Sequence, residues 1–295
     1  MSKIVECVPN FSEGRDLKII NSIFDAALHN AQGKQVKVFE LESNKDHNRC
    51  LFTIVGEPEE VLNSVYESIK VATKLIDMEK HIGEHPRIGA TDVVPFVPVS
   101  GVTMDECVEL AKRLGKKVGE ELGIPVFLYE EAATKPENRN LADVRKGEYE
   151  GFKINMNQPD FGPAKMHPTA GAVVIGARKY LVAFNVNLDT HDIDIAKKIA
   201  GKIREKNGGL PGVKALGFEV DGLAQVSMNL VDYEKTNFDA AFNAVKKLAD
   251  EEGVEIKSSE IYGMIPLESL VCAVKSAFKA DNFQSDQVLE KRLYE

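Results

Sequence analysis

Two stretches of the chain carry the same succession of patterns, strand-helix-strand-strand-helix-strand, and that repeat restricts the fold more than any other feature. In the first stretch "KIVECV" (3–8) is a short apolar run closed by Pro9-Asn10. Next, "DLKIINSIFDAALHN" places Leu17, Ile20, Phe24, Ala27 and Leu28 at helical spacing, with Gly33 as its stop. "VKVFELE" (36–42) and "CLFTIVG" (50–56) read as strands. Pro58 opens a second helix with Val61, Leu62, Val65, Ile69, Ala72 and Ile76 as its buried stripe. "DVVPFVPV" (92–99) follows as an extended, proline-punctuated segment. Thr103 and Glu106 then stand in capping-box spacing before a helix that runs to about Leu122, and "PVFLY" (125–129) is a further strand. Residues 130–168 read as irregular, with one short helix near 139–146. So long a connection inside a compact chain is either functional or disordered.

The plan recurs after residue 179. "YLVAFNVNL" (180–188) is a strand, and Asp189 or Thr190 caps a helix carrying Ala196, Ile199, Ala200 and Ile203. "VKALGFEV" and "LAQVSMNL" pair around Asp221-Gly222, a strong two-residue hairpin signal. Thr236 or Asn237 caps a helix whose stripe is Phe238, Ala241, Phe242, Val245, Leu248 and Ala249, stopped by Gly253. "EIKSSEI" is the last strand, and the tail 266–295 reads as helical. The expected fold class is α+β: two ferredoxin-like βαββαβ sandwich subdomains, each a sheet with helices on one face. A length of 295 residues suits two domains better than one. The repeat is one of pattern, not of sequence, and such a fold says nothing about chemistry.

Net charge is −9, which gives no global field for nucleic acid or an anionic membrane, so neither is expected as a partner. Cys7, Cys50, Cys107 and Cys272 are far apart and form no C-x-x-C pair, which argues against a disulfide framework and for a reducing compartment. "MSKIVECVPNF" has no long apolar core for a signal peptide, and no run approaches the ~20 apolar residues of a membrane span. A cytoplasmic location is expected.

Residues 80–99, "KHIGEHPRIGATDVVPFVPV", hold the densest chemistry. His81, Glu84 and His85 spell H-x-x-E-H, a zinc-peptidase signature that needs both histidines on one helix face. Gly83 weakens any such helix and Pro86 pushes His85 out of the α conformation, so no metal site is expected. His85 is either a hydrogen-bonded loop histidine or an acid/base tuned by Glu84, Arg87 and Asp92. In "CVPNFSEGR" (7–15), Asn10 and Ser12 read as helix caps or as part of an anion-facing loop. "ESNKDHNRC" (42–50), with His47, Asn48 and Arg49, reads as a solvated hairpin loop. "QPDFGPAKMHPTAG" (158–171) is either an interdomain linker or a loop able to wrap a flat ring while Lys165 meets a carboxylate.

Taken together, "VECVPNFSEGR", "GEHPRIGATDVVPFVPV", "PDFGPAK" and "GARKYLVAFNVNL" resemble the glutamate formimidoyltransferase family, in order and over about residues 1–290. The resemblance implies transfer of a formimidoyl group from N-formimidoyl-L-glutamate to N5 of tetrahydrofolate, in histidine breakdown. It also implies a homodimer, with residues 1–178 as the N-terminal subdomain holding the folate loop and 179–295 as the C-terminal one. Within G-E-H-P-R it places the catalytic histidine at His85. It places the folate-contacting stretch at Gly162, Pro163, Ala164, Lys165, Met166, His167, Pro168, Thr169, Ala170 and Gly171. Asn10, Asn48, Arg49, Glu84, Arg87, Asp92 and Arg178 are the other substrate-site candidates, and no role is assigned to Glu42 or His47. The chain ends where the animal bifunctional protein continues into a cyclodeaminase, so that second activity is not expected.

The chemistry matches these residue types. N5 of the folate attacks the formimidoyl carbon, a proton leaves N5, and another reaches the departing glutamate nitrogen. One histidine of pKa 6–7, oriented by Asp92 or Glu84, could serve both transfers. Tetrahydrofolate is then a co-substrate, with no tightly bound cofactor or metal. Arg49, Arg87, Lys165 and Arg178 are candidate cations for the glutamate carboxylates. A folate enzyme acting on 5-formyltetrahydrofolate or N-formylglutamate, and a non-catalytic folate or amino-acid sensor, are the alternatives.

Overall fold

The computed structural model describes residues 3–31 and 36–294. Gly33, the expected stop of the first helix, lies outside the described residues. The chain divides into two compact units, Met1–Arg178 and Lys179–Glu295, each with its own sheet. No helix among the described residues is long and apolar enough to cross a membrane.

In the first unit β1 (Ile4–Cys7) and β2 (Asn10–Phe11) precede α1 (Leu17–Ala31), β3 (Val36–Asn44), β4 (Arg49–Gly56), α2 (Pro58–Leu75) and β5 (Thr91–Ser100). β1 and β2 keep one register against β4 and both lie between β4 and β5. They form one strand interrupted at Val8-Pro9, where proline has no N–H to give, so the strand ends at Phe11 and not at residue 8. The lateral order β3-β4-β1/β2-β5 is that of a ferredoxin-like sheet. α3 (Met104–Leu122) opens on the Thr103/Glu106 capping box. β6 (Val126–Glu130), α4 (Leu141–Val144), α5 (Glu148–Ile154) and β7 (Val173–Ala177) complete the unit. β7 pairs parallel to both β5 and β6. Pattern reading does not pick out β7, because five consecutive buried residues carry no alternation. Residues 130–168 hold two short helices and a 3₁₀ turn (Pro136–Asn138), more order than the single helix expected there.

Helices cover both faces of this sheet, not one. α1, α2 and α3 pack their stripes (Ile20, Ile23, Val65, Ile69, Leu114, Val118) against Phe52, Ile54, Val94 and Ile175. On the opposite face α4 and α5 bury Val144 and Phe152 against Val93, Phe127 and Val174. Cross-strand pairing carries that second face from Val93 through Asn10 and Leu51 to Glu42. One half of this face is therefore apolar and helix-covered, and the other half holds polar groups.

The second unit is β8 (Val182–Leu188), α6 (Ile193–Ile203), β9 (Val213–Val220), β10 (Leu223–Leu230), α7 (Phe238–Glu251) and β11 (Ile256–Tyr262). Its antiparallel order is β11-β8-β10-β9, again ferredoxin-like. The β9–β10 turn places Asp221 and Gly222 at φ 49° and 77°, as a two-residue hairpin requires. Asn237 caps α7 by accepting from the Ala240 N–H. Asp192, not Asp189 or Thr190, caps α6: it accepts from the Asp194 N–H, while the Thr190 hydroxyl accepts from the Asp192 N–H. The tail forms α8 (Leu267–Phe278) and α9 (Leu289–Tyr294).

Candidate active site

Residues 81–90 contain no helix, as Gly83 and Pro86 require. The two histidines turn to different partners. His81 Nε2 lies 2.9 Å from the Asn48 carbonyl, to which it must donate, and its Nδ1 accepts from Arg87 Nε at 3.3 Å. Both ring nitrogens are thereby used, and His81 is neutral. His85 donates from Nδ1 to the Pro86 carbonyl at 2.7 Å, which leaves the Nε2 lone pair open. Two imidazoles so arranged do not converge on an ion. The protein is expected to purify without stoichiometric zinc and to be indifferent to chelators; one zinc per chain by elemental analysis would refute this.

Three loops hold the His85 segment. Asn48, at φ 48°, accepts from the Gly14 N–H at 2.9 Å and donates to the Ile82 carbonyl at 3.1 Å. The Ser12 hydroxyl donates to the Gly89 carbonyl at 2.7 Å, and the Ser12 N–H to the Ala90 carbonyl. Neither Asn10 nor Ser12 caps α1. Asp16 does so, accepting from the Lys18 N–H at 2.8 Å. From the other side, the Ala90 N–H donates to the Ala170 carbonyl and the Ala172 N–H to the Ile88 carbonyl. Gly89 lies so close to the Ala170 and Ala172 carbonyls that a Cβ there would overlap them.

Under His85 lies a buried ion cluster. In the β2–β5 pairing Asn10 faces Val93 and Phe11 faces Thr91, so Asp92 is an extra residue. The Asp92 carboxylate, fully buried, accepts from Arg49 at 2.7 Å and from the Ile88 N–H at 3.0 Å, and forms an ion pair with Arg145 at 2.8 Å. Burial opposes its ionisation, but the two guanidiniums outweigh burial and hold its pKa below the ordinary value. Two arginines on one carboxylate leave a positive charge in excess. Arg49 also donates to Asn10 Oδ1 at 3.1 Å. These groups underlie a cleft of about 470 Å³ lined by Asn10, Glu42, Asn44, His47, Arg49 and His85, among others. The His47 and His85 rings stand 5.8 Å apart. Burial and then Arg49 push the His85 pKa down to about 4, with Arg145 adding to the effect, while the Pro86 carbonyl and Asp92 oppose it. That is below the 6–7 expected from the reaction chemistry.

Several expected residues have other work. Arg87 is buried, and its guanidinium is bound by Glu150 (2.7 and 2.8 Å) and Glu148 (3.0 Å), so it clamps α5 to the His85 segment and is not a spare substrate cation. Neither Glu84 nor Asp92 orients His85, since a main-chain carbonyl does. Glu84 is exposed, with its N–H toward the Asp46 carbonyl. Arg178 follows β7, its N–H on the Phe96 carbonyl, and does not line the cleft. Residues 158–171 do not link the units; they run from α5 to β7 within the first unit. Asp160 accepts from the Leu128 N–H, Phe161 pairs with Val126, and His167 closes a turn with Gly171. A second cleft of about 400 Å³ lies between Ala164–Pro168 and α5, with Tyr149, Phe152, Met156, Met166, Lys165 and Glu79 on its walls. Arg145, Glu148 and Glu150 are additions that no sequence signal marked.

Comparison with known proteins agrees along the whole length. Residues 4–178 match the formiminotransferase domain, N-terminal subdomain, and residues 183–291 match the formiminotransferase domain. The chain is 44% identical to a glutamate formimidoyltransferase of Streptococcus pyogenes serotype M1, covering 99% of each chain. It is 44% identical to one of Thermoplasma acidophilum, covering 98% of this chain and 97% of that one. It is also 41% identical to the formimidoyltransferase-cyclodeaminase of Sus scrofa, of which it spans 54%. With both halves of one domain matched in sequence order, this chain belongs to the formiminotransferase family.

Proposed function

We propose that the chain transfers the formimidoyl group of N-formimidoyl-L-glutamate to N5 of tetrahydrofolate, giving 5-formimidoyltetrahydrofolate and L-glutamate. The observation that carries this reading is His85: neutral, tied at Nδ1 to the Pro86 carbonyl, with Nε2 open in a cleft that also presents Arg49. N5 attacks the formimidoyl carbon and a tetrahedral centre forms. Nε2 takes the N5 proton and returns it to the glutamate nitrogen as the old C–N bond breaks, so no net proton is gained or lost. Arg49, fixed by Asp92 and Asn10, suits a donor carboxylate. The stretch Gly162–Gly171 is the proposed folate loop, with aromatic and thioether walls for a flat ring and Lys165 for a carboxylate. A homodimer belongs to the proposal on family resemblance alone.

The test is to mix tetrahydrofolate with formimidoylglutamate or formylglutamate and follow the folate spectrum for a new product. The formimidoyl donor is expected to give one. No transfer together with folate binding would favour a sensor. Residues 162–168 are largely exposed, so folate is expected to slow hydrogen exchange across 158–171. Unchanged exchange there at saturating folate would remove the loop from the site.

A further inference from the structure

Resting on that transfer reading, we propose that Glu42 selects the formimidoyl donor over a formyl donor, its carboxylate receiving the donor's amidinium. The argument starts from strand register. Val36 and Val38 face the core, and strict alternation would put Glu40 and Glu42 on that face as well. The β3–β4 register instead runs Phe39 to Thr53 and then Glu42 to Leu51, so β3 holds one residue more than β4. Glu40 absorbs the extra residue at φ 56°, a left-handed conformation that opposes any residue with a Cβ. One inserted residue flips everything after it. Leu41 packs against the core, and Glu42 joins the Leu51 and Asn10 row that lines the His85 cleft.

The strained bulge therefore aims a carboxylate into the cleft, and no group among the described residues claims that carboxylate. Glu42 is exposed and makes no ion pair or hydrogen bond among the described residues, since the partner of Arg49 is Asp92. Strain kept beside a reactive group points to a use for the group it positions. The two donors differ in the property a carboxylate reads. A formimidoyl group is a protonated amidine near neutral pH, a cation with N–H donors on both nitrogens. A formyl amide is neutral and offers a carbonyl oxygen, which a carboxylate repels. Glu42 thus attracts one donor and penalises the other. The excess positive charge of Arg49, Arg145 and Asp92 suits the donor's carboxylates, so donor polarity matches the cleft.

The test compares kcat/KM for N-formimidoyl-L-glutamate and N-formyl-L-glutamate, each with tetrahydrofolate, in the wild type, Glu42→Gln and Glu40→Gly. Glu42→Gln is expected to cut the preference for the formimidoyl donor by roughly 10- to 100-fold, the worth of a charge-assisted hydrogen bond. Formyl transfer should hold or rise, and Tm should not move. Glu40→Gly keeps the left-handed turn and should keep the wild-type preference. If Glu42→Gln lowers both donors equally, or changes neither, the inference is overturned and the transfer reading stands. A wild type that transfers neither group removes both.

Discussion

Replacing His85 with alanine is expected to lower kcat by roughly 10²–10⁴-fold, the usual worth of a positioned acid–base group. Folate affinity should change far less, because the imidazole acts mainly in the transition state. His85→Gln should be nearly as inactive, since an amide keeps a polar end but cannot titrate. His81→Ala is a different lesion. It removes the contacts to the Asn48 carbonyl and Arg87 Nε, so it should lower Tm more than turnover per folded molecule. The pH profile gives a second readout. kcat/KM reports the free enzyme, so its acid limb should fall near pH 4, well below 6.5. Donor carboxylates beside Arg49 offset the charge that depresses His85, so the acid limb of kcat should lie higher than that of kcat/KM. Normal turnover in His85→Ala, or a kcat/KM limb at 6.5, would count against His85 or against its surroundings as described.

The non-helical conformation around His85 was legible because its signal is local: the helix breakers Gly83 and Pro86 lie on either side, and residues 81–90 contain no helix. The arginines beneath His85 were not legible, because neither is local. Arg145 comes from the short helix expected near 139–146, far from β5 in sequence, yet meets Asp92. Arg87 looks like a substrate cation until Glu148 and Glu150 fold over it. A guanidinium in sequence gives no hint of whether a carboxylate elsewhere will take it. The expected orienting carboxylate for His85 proved to be the carbonyl of its own neighbour, a group that every residue has and no composition reveals.

The fold shows the same division. Alternating strands and striped helices read correctly, such as α3 behind its Thr103/Glu106 box and the hairpin at Asp221-Gly222, while the caps of α1 and α6 fell on other residues than expected. Reading failed where periodicity is lost. β7 is buried on both sides and reads as a plain apolar run. In β3 an unmarked bulge at Glu40 reverses the face on which alternation places Glu42. One extra residue in a strand is invisible to sequence and decides what the cleft contains.

Asp92→Asn is expected to destabilise the protein by about 3–5 kcal/mol, because it leaves two guanidiniums, 10% and 12% exposed, without their shared charge. For a unit of this size that corresponds to a Tm roughly 10 °C lower. Asparagine can keep the contact to the Ile88 N–H, so the loss reports charge rather than shape. Adding Arg145→Met should recover part of it by removing one of the two uncompensated cations. Acid titration separates the groups by sign. The folded His85 pKa, near 4, lies below its unfolded 6.5, so the unfolded chain binds more protons between those values. Stability should therefore fall as pH drops from 6.5 to 4, and His85→Ala should shrink that limb, to which His81 and His167, also held below the ordinary value by burial, contribute the rest. Asp92 is held below 3.8, so its stabilisation is present above that value and is lost only as pH falls through its folded pKa; Asp92→Asn should reduce this lower limb, which Asp232 and Glu150 share. Thermal unfolding of the full chain at a series of pH values measures both. Asp92→Asn as stable as the wild type at pH 7, with both limbs intact, would mean that the cluster does not hold the site.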